Sequence, residues 1–270
     1  MNKLHHAIRD IHRMDTLAGR RNPVNGLHPL CKLVVTVGYI VTVVSFPKYD
    51  VIGLLGMAVY PMALFILAEL SVWESFRKIR LVLPLVCLVG LLNPFLDKTV
   101  VMIGTVAVNG GILSMLTLIL KGLFCVLASY LLIATTTIEK LCYAFRMLQL
   151  PKVMVTQLML TYRYVTLLLE EADRMTQAYA LRAPGQKGIH FKAWGSFIGQ
   201  LLLRSMDRAN DVYDSMQLRG YAGDYLYLRE KISIRGRDMG YLIFWLGVIA
   251  VFRAFPVILL LGSLIGGNAG

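Results

Sequence analysis

The sequence predicts an all-α membrane protein with about five transmembrane helices and a cytoplasmic arm of long amphipathic helices. Three observations predict it. Of the 270 residues 57% are hydrophobic and only 16% charged, with a mean hydropathy of +0.62, too apolar for an ordinary soluble domain of this length. The apolar residues gather into runs of membrane-spanning scale on either side of one long charge-bearing stretch, residues 135–237. Finally, the basic residues behind a formal charge of +12 fall in alternate connections between the runs, as they do in membrane proteins with a positive inner face.

The first 29 residues are polar and carry Lys3, Arg9, Arg13, Arg20 and Arg21, with no apolar core and no visible cleavable signal. Residues 30–46 make a first crossing, about 25 Å long as a helix. Pro47-Lys48-Tyr49-Asp50 is a tight turn, and residues 51–70 make a second crossing that ends near Glu69, followed by an interfacial Trp73. Arg77, Lys78 and Arg80 precede a third apolar run at 81–92, which Asn93-Pro94 interrupts before Asp97-Lys98.

The next stretch admits two readings: residues 100–120 form a span of their own, or they form a re-entrant hairpin that feeds one tilted span ending at Ala134. A last crossing covers 241–265, with Arg253 as its only charge. With the amino terminus cytoplasmic, the inner segments 1–29, 71–80 and 135–237 hold five, three and fifteen Lys and Arg, while each outer turn pairs one cation with one acid, Lys48 with Asp50 and Lys98 with Asp97. The charge is thus a topology signal and gives no reason to invoke nucleic acid. Three regions result: amino-terminal transmembrane helices at 1–134, the cytoplasmic arm at 135–237, and the last transmembrane helix and tail at 238–270.

The arm opens at Thr135-Thr136-Thr137, a threonine cap followed by Glu139 in the first turn, and a short helix runs to Leu150 before Pro151. A long helix follows in which Met154, Leu158, Thr161, Val165, Leu168, Ala172, Met175 and Tyr179 make one stripe. Glu170, Asp173, Arg174 and Gln177 lie opposite, with Glu170 and Arg174 spaced as an ion pair. A second long helix starts near Phe191, with Trp194, Ile198, Leu201, Ser205, Val212 and Met216 on one side and Arg204, Asp207, Arg208, Asp211 and Asp214 on the other. Each helix is on the order of 40 Å long, too polar to cross a bilayer and too apolar on one side to stand alone in water.

The two long helices end alike. Leu181-Arg182-Ala183 precedes Pro184-Gly185, and Leu218-Arg219-Gly220 precedes Tyr221-Ala222-Gly223. A cation in the last turn is ordinarily worth only about 0.3 to 1 kcal/mol to its own helix. Repetition of apolar-Arg-small before a helix breaker, at the ends of two similar helices, points instead to a partner. The five-donor fork of arginine suits bidentate capture of a carboxylate, and the small residue beside it admits a close backbone.

Enzyme chemistry finds no footing. There is no GxxxxGK[ST], HExxH or GxSxG, so any ATP must be handled by other chains. Cys31, Cys87, Cys125 and Cys142 lack paired spacing and read as packing residues, as do the scattered methionines. His5, His6 and His12 admit two readings, a cytoplasmic metal way-station and a solvated amphipathic segment, and their flexible spacing without nearby Cys or clustered acid favours the second; His28 and His190 read as loop or cap residues. Lys121 and Glu69 are expected to snorkel to the interface, and Arg253 to find a polar or headgroup partner.

Taken with Met14-Asp15-Thr16-Leu17-Ala18, Pro29-Leu30-Cys31-Lys32-Leu33, Leu150-Pro151, Tyr162-Arg163-Tyr164 and Glu170-Glu171, these features extend over nearly the whole chain. The sequence resembles the transmembrane T component of energy-coupling factor (ECF) transporters, in the cobalt-type CbiQ family. The resemblance implies a non-catalytic subunit of the bacterial or archaeal cell membrane, whose two long helices are coupling helices. Leu181, Arg182, Ala183, Leu218, Arg219 and Gly220 would dock on two cytoplasmic ATP-binding-cassette ATPase subunits. The family signature is often Ala-Arg-Gly; here the first is Leu-Arg-Ala and the second Leu-Arg-Gly.

The other implied partners are the lipid bilayer and a substrate-binding S component, a metal-binding membrane subunit. The implied cargo is cobalt for cobalamin synthesis, and no cofactor is implied for this chain. A T component for nickel or a vitamin is one alternative reading, and a membrane scaffold or channel-like protein whose arm binds another partner is a second. A stand-alone secondary carrier would show internal repeats, and none is found.

Overall fold

The computed structural model of the protein describes residues 9, 13, 15–20, 22–70, 83–91, 93, 100–103, 106–185, 188–221 and 233–255. They are mostly helical and divide into two compact units, one of Gly19–Thr136 with Ile232–Gly270, the other of Met1–Ala18 with Thr137–Lys231.

In the first unit, α1 (Pro29–Val44) begins with proline at its first position, where the missing N–H costs nothing. His28 caps it, accepting the Leu30 amide through Nδ1 at 3.2 Å. The crossing expected over 51–70 is two helices, α2 (Val51–Gly56) and α3 (Val59–Leu67), separated at Met57 and Ala58. The cause is Pro61, which has no N–H for the carbonyl of Met57 four residues earlier. The Tyr39 hydroxyl supplies the missing donor to that carbonyl at 2.9 Å.

Helix α4 (Leu83–Gly90) lies within the third apolar run. Of the two readings for 93–134, the structure has a hairpin followed by one helix. Strands β1 (Val100–Ile103) and β2 (Val106–Asn109) pair antiparallel, Val100 opposite Asn109, and lead into α5 (Gly110–Thr135). This hairpin is the departure from an all-α fold. Among the described residues α5 alone is long and apolar enough to cross a bilayer, while α1 and the 51–67 stretch are shorter apolar helices. Helix α4 approaches α5 so closely that a Cβ on Gly122 would stand 2.7 Å from Val86 Cγ1.

Helix α9 (Gly236–Ala254) starts ahead of the expected 241, and residues 256–270 lie outside the described set. Its Trp245 meets Tyr60 edge-on at 5.0 Å, and Tyr60 lies against Tyr39 at 4.5 Å and shares a 3.2 Å hydrogen bond with Thr36. These buried rings hold α1, α3 and α9 together.

The lysine expected to snorkel ends on backbone carbonyls. Lys121 Nζ donates to the carbonyl of Val44 at 3.0 Å, which as the last of α1 has no intrahelical donor, and to that of Phe46 just past the helix at 2.5 Å. Arg253 finds its polar partner in the Ser45 carbonyl at 3.3 Å and lies 4.8 Å over the Phe46 ring. Glu69 is exposed just past α3 with a φ of 50°.

The second unit contains α6 (Ile138–Met147), α7 (Lys152–Arg182) and α8 (Phe191–Leu218). Thr137 caps α6, its hydroxyl accepting the Lys140 amide, with Glu139 in the first turn, and Pro151 stands just before α7. The stripe expected along α7 is only partly covered: Ala172 is buried, but Met154, Leu158 and Val165 are exposed. Val155 and Thr156 are buried in place of the first two, and Asp173, expected on the polar side, is buried as well, where it accepts Gln177 Nε2 at 2.6 Å. Burial on α7, which packs against α6 and α8, therefore does not follow a single straight stripe. On α8, Leu201, Ser205, Val212 and Met216 are half-buried, as the spacing predicts, while Trp194 and Ile198 are exposed.

Candidate functional site

Both arginine signatures lie at helix ends of the second unit. Arg182 is the last residue of α7, and Ala183 closes the helix with one bond, its amide to the Tyr179 carbonyl at 3.0 Å. The chain then turns at Gly185, whose φ is +95°. The connection returns through Ile189 and His190, and the His190 amide donates to the Tyr179 hydroxyl at 3.4 Å. His190 then caps α8, accepting the Lys192 amide at Nδ1.

Helix α8 ends differently. Arg219 is the cap residue, Gly220 takes a φ of +78°, and two amides fold back, Gly220 onto Gln217 at 2.9 Å and Tyr221 onto Met216 at 3.0 Å. This Schellman end requires a residue that tolerates left-handed backbone, which is the local reason for glycine there. Alanine suffices in the first signature because Ala183 keeps a negative φ of −124°.

The side chains share one property. Leu181 is 84% exposed and Leu218 90%, each beside an exposed arginine. A leucine so exposed at a helix tip, repeated twice, is apolar surface left open among the described residues.

Beside the second tip is a pocket of about 450 Å3, lined by Arg163, Arg208 and Arg219 together with Asp211, Met216 and Tyr221. A larger groove of about 870 Å3 runs between α7 and α8. Along it Glu171 pairs with Arg204 of α8 and lies 4.0 Å from Arg174, so the pair expected between Glu170 and Arg174 falls to Glu171, which faces the second helix. Arg163 and Arg219 line the same pocket although nothing in their spacing links them, since they stand on different helices.

A further missed feature is the hydrogen bond from Tyr162 to the Asp15 carboxylate, 2.7 Å long, which ties the amino-terminal segment to α7. Burial, that carboxylate and nearby Glu139 push the Tyr162 phenol above its ordinary value of 10.0. Cys142 on α6 is raised from 9.0 by burial and by Glu139, and so behaves as an inert packing thiol. All four cysteines are free. His5, His6, His12, Trp73, Arg77, Lys78 and Arg80 lie outside the described residues.

Among the described residues one helix, α5, is long and apolar enough to cross a bilayer, and α7 and α8 are long amphipathic helices. The chain belongs to the CbiQ cobalt transport protein family, whose model matches residues 20–229. It is also similar to two uncharacterized proteins of Methanocaldococcus jannaschii. To MJ1571 it is 30% identical over 148 residues, 54% of this chain and 50% of the relative. To MJ1089 it is 32% identical over 127 residues, 46% of this chain and 44% of the relative. The chain matches half or less of the length of either relative.

Proposed function

We propose that this chain is the non-catalytic transmembrane coupling subunit of an ATP-driven importer of the energy-coupling factor type, carrying cobalt. Its spans, about five with the amino terminus cytoplasmic, anchor a cytoplasmic arm at 135–237 between the regions 1–134 and 238–270. Two ATP-binding-cassette subunits hydrolyse ATP and receive the tips Leu181-Arg182-Ala183 and Leu218-Arg219-Gly220. When ATP draws those subunits together, α7 and α8 shift relative to one another and move a substrate-binding membrane subunit. The apolar residues that α7 and α8 leave exposed, among them Met154, Leu158, Leu202 and Met206, offer that subunit a surface.

One observation carries the reading: each long helix presents a leucine more than four-fifths exposed beside an exposed arginine, at the point where the helix stops. The leucine fits an apolar pocket and the guanidinium a carboxylate at its rim. Family membership supports the transport role and cobalt as the cargo. The test is co-purification in mild detergent. The doubly substituted chain Arg182→Glu, Arg219→Glu should lose the ATPase subunits that the native chain retains, and retention of both would refute docking through these tips.

A further inference from the structure

We propose that Lys32 and Asp238 are positioning residues that fasten both chain connections of the Thr137–Lys231 unit to the first turns of α1. The chain enters that unit immediately after α5 and returns from it just ahead of α9. At the entry, Lys32 Nζ donates to the carbonyl of Thr135, the last residue of α5, at 2.8 Å. At the return, Asp238 Oδ1 accepts the His28 amide at 3.0 Å, and Oδ2 accepts the Arg235 amide at 2.9 Å. His28 caps α1 and Lys32 follows one turn later, so both attachments meet at one end of one helix.

The energetics favour a positional role over simple packing. Lys32 is 2% exposed and Asp238 4%, and a charge buried so far carries a large desolvation penalty unless it is well partnered. Each sits at the helix end whose dipole suits it, the cation at the carbonyl end of α5 and the anion at the amide end of α9. The Thr135 carbonyl is one of the four at a helix end that lack an intrahelical donor. A methionine at position 32 would fill the same space between apolar helices, but it would leave that carbonyl without this donor. The segment ahead of α1 closes on the same place, for Arg237 Nη2 lies 3.3 Å from where a Cβ on Gly26 would be.

On the proposed coupling function, on which this inference rests, a displacement of the arm then reaches α1 at both connections. The test uses the complete transporter, reconstituted with its ATPase and substrate-binding subunits, and reads three quantities: retained ATPase, ATP hydrolysed, and cobalt ion taken up per ATP. Lys32→Met should keep the ATPases bound and hydrolysing while uptake per ATP falls at least about tenfold, within the range of ordinary coupling energies. Lys32→Arg, which keeps the cation, should restore much of that loss.

Should Lys32→Met fail to assemble, Asp238→Asn preserves the side-chain shape and should uncouple in the same way. Unchanged uptake per ATP with the ATPases bound, or equal loss in the methionine and arginine variants, would overturn the proposal. Failure of the underlying function appears separately, as ATPase retention by the chain reversed at Arg182 and Arg219.

Discussion

The carboxylate of Asp15 accepts the phenolic proton of Tyr162 across 2.7 Å, joining residues 147 positions apart. Hydrogen bonds to a charged acceptor contribute about 1.5 to 3 kcal/mol, and this one ties the amino-terminal segment to α7. Tyr162→Phe should loosen residues 15–18, seen as faster amide exchange there with α8 unchanged. Equal exchange in the two proteins would contradict that role.

The same pair sets a pH dependence. The folded phenol is raised above its ordinary 10.0 by burial and by the Asp15 and Glu139 carboxylates. Its contribution to stability is therefore whole below the unfolded value near 10.0 and is lost as pH rises from there toward the folded value. A phenolate titration of the native chain minus that of Tyr162→Phe should show one group ionising above 10.0; a midpoint at or below it would contradict the burial.

Gly220 and Ala183 occupy matching places in the two signatures but different backbone conformations, φ +78° against −124°. Gly220→Ala should cost about 1 to 2 kcal/mol at the end of α8, the penalty for a side chain in the left-handed region. Ala183→Gly should cost only a few tenths, since position 183 lies outside the helix interior. Thermal unfolding in detergent orders the two, and an equal effect would mean that the second tip does not need its Schellman turn.

Helix α6 closes the same way but with glutamine in the left-handed position. Gln149 has a φ of 61°, its amide bonds the Arg146 carbonyl at 3.1 Å, and the Leu150 amide bonds Phe145 at 3.3 Å. Gln149→Gly should therefore raise stability by about 1 kcal/mol through relief of that strain. A lowered melting temperature would be the contrary result.

What the sequence made legible was local. The Thr137 cap, the break at Pro151 and the arginines at the ends of α7 and α8 follow from spacing within one helix, and the structure has them where the spacing puts them. The histidine caps His28 and His190 belong to the same class. What escaped was set by partners distant in sequence. The break at Met57 needs Pro61 to withhold an amide and Tyr39, a residue of α1, to replace it. Asp173 reads as a solvated acid on the polar side of its helix, yet it is buried and accepts the Gln177 side-chain amide. Lys32 reads as a polar interruption in an apolar run, and nothing in its neighbourhood names Thr135 as its acceptor.

The most direct test of the coupling account places a photo-crosslinking residue at 181 and, in a second protein, at 218, within assembled transporter in native membranes. Each position should form a covalent product with an ATP-binding subunit, since both leucines stand almost wholly exposed at their helix ends. Products with lipid alone at both positions, in membranes where the ATPase subunits are present, would contradict it.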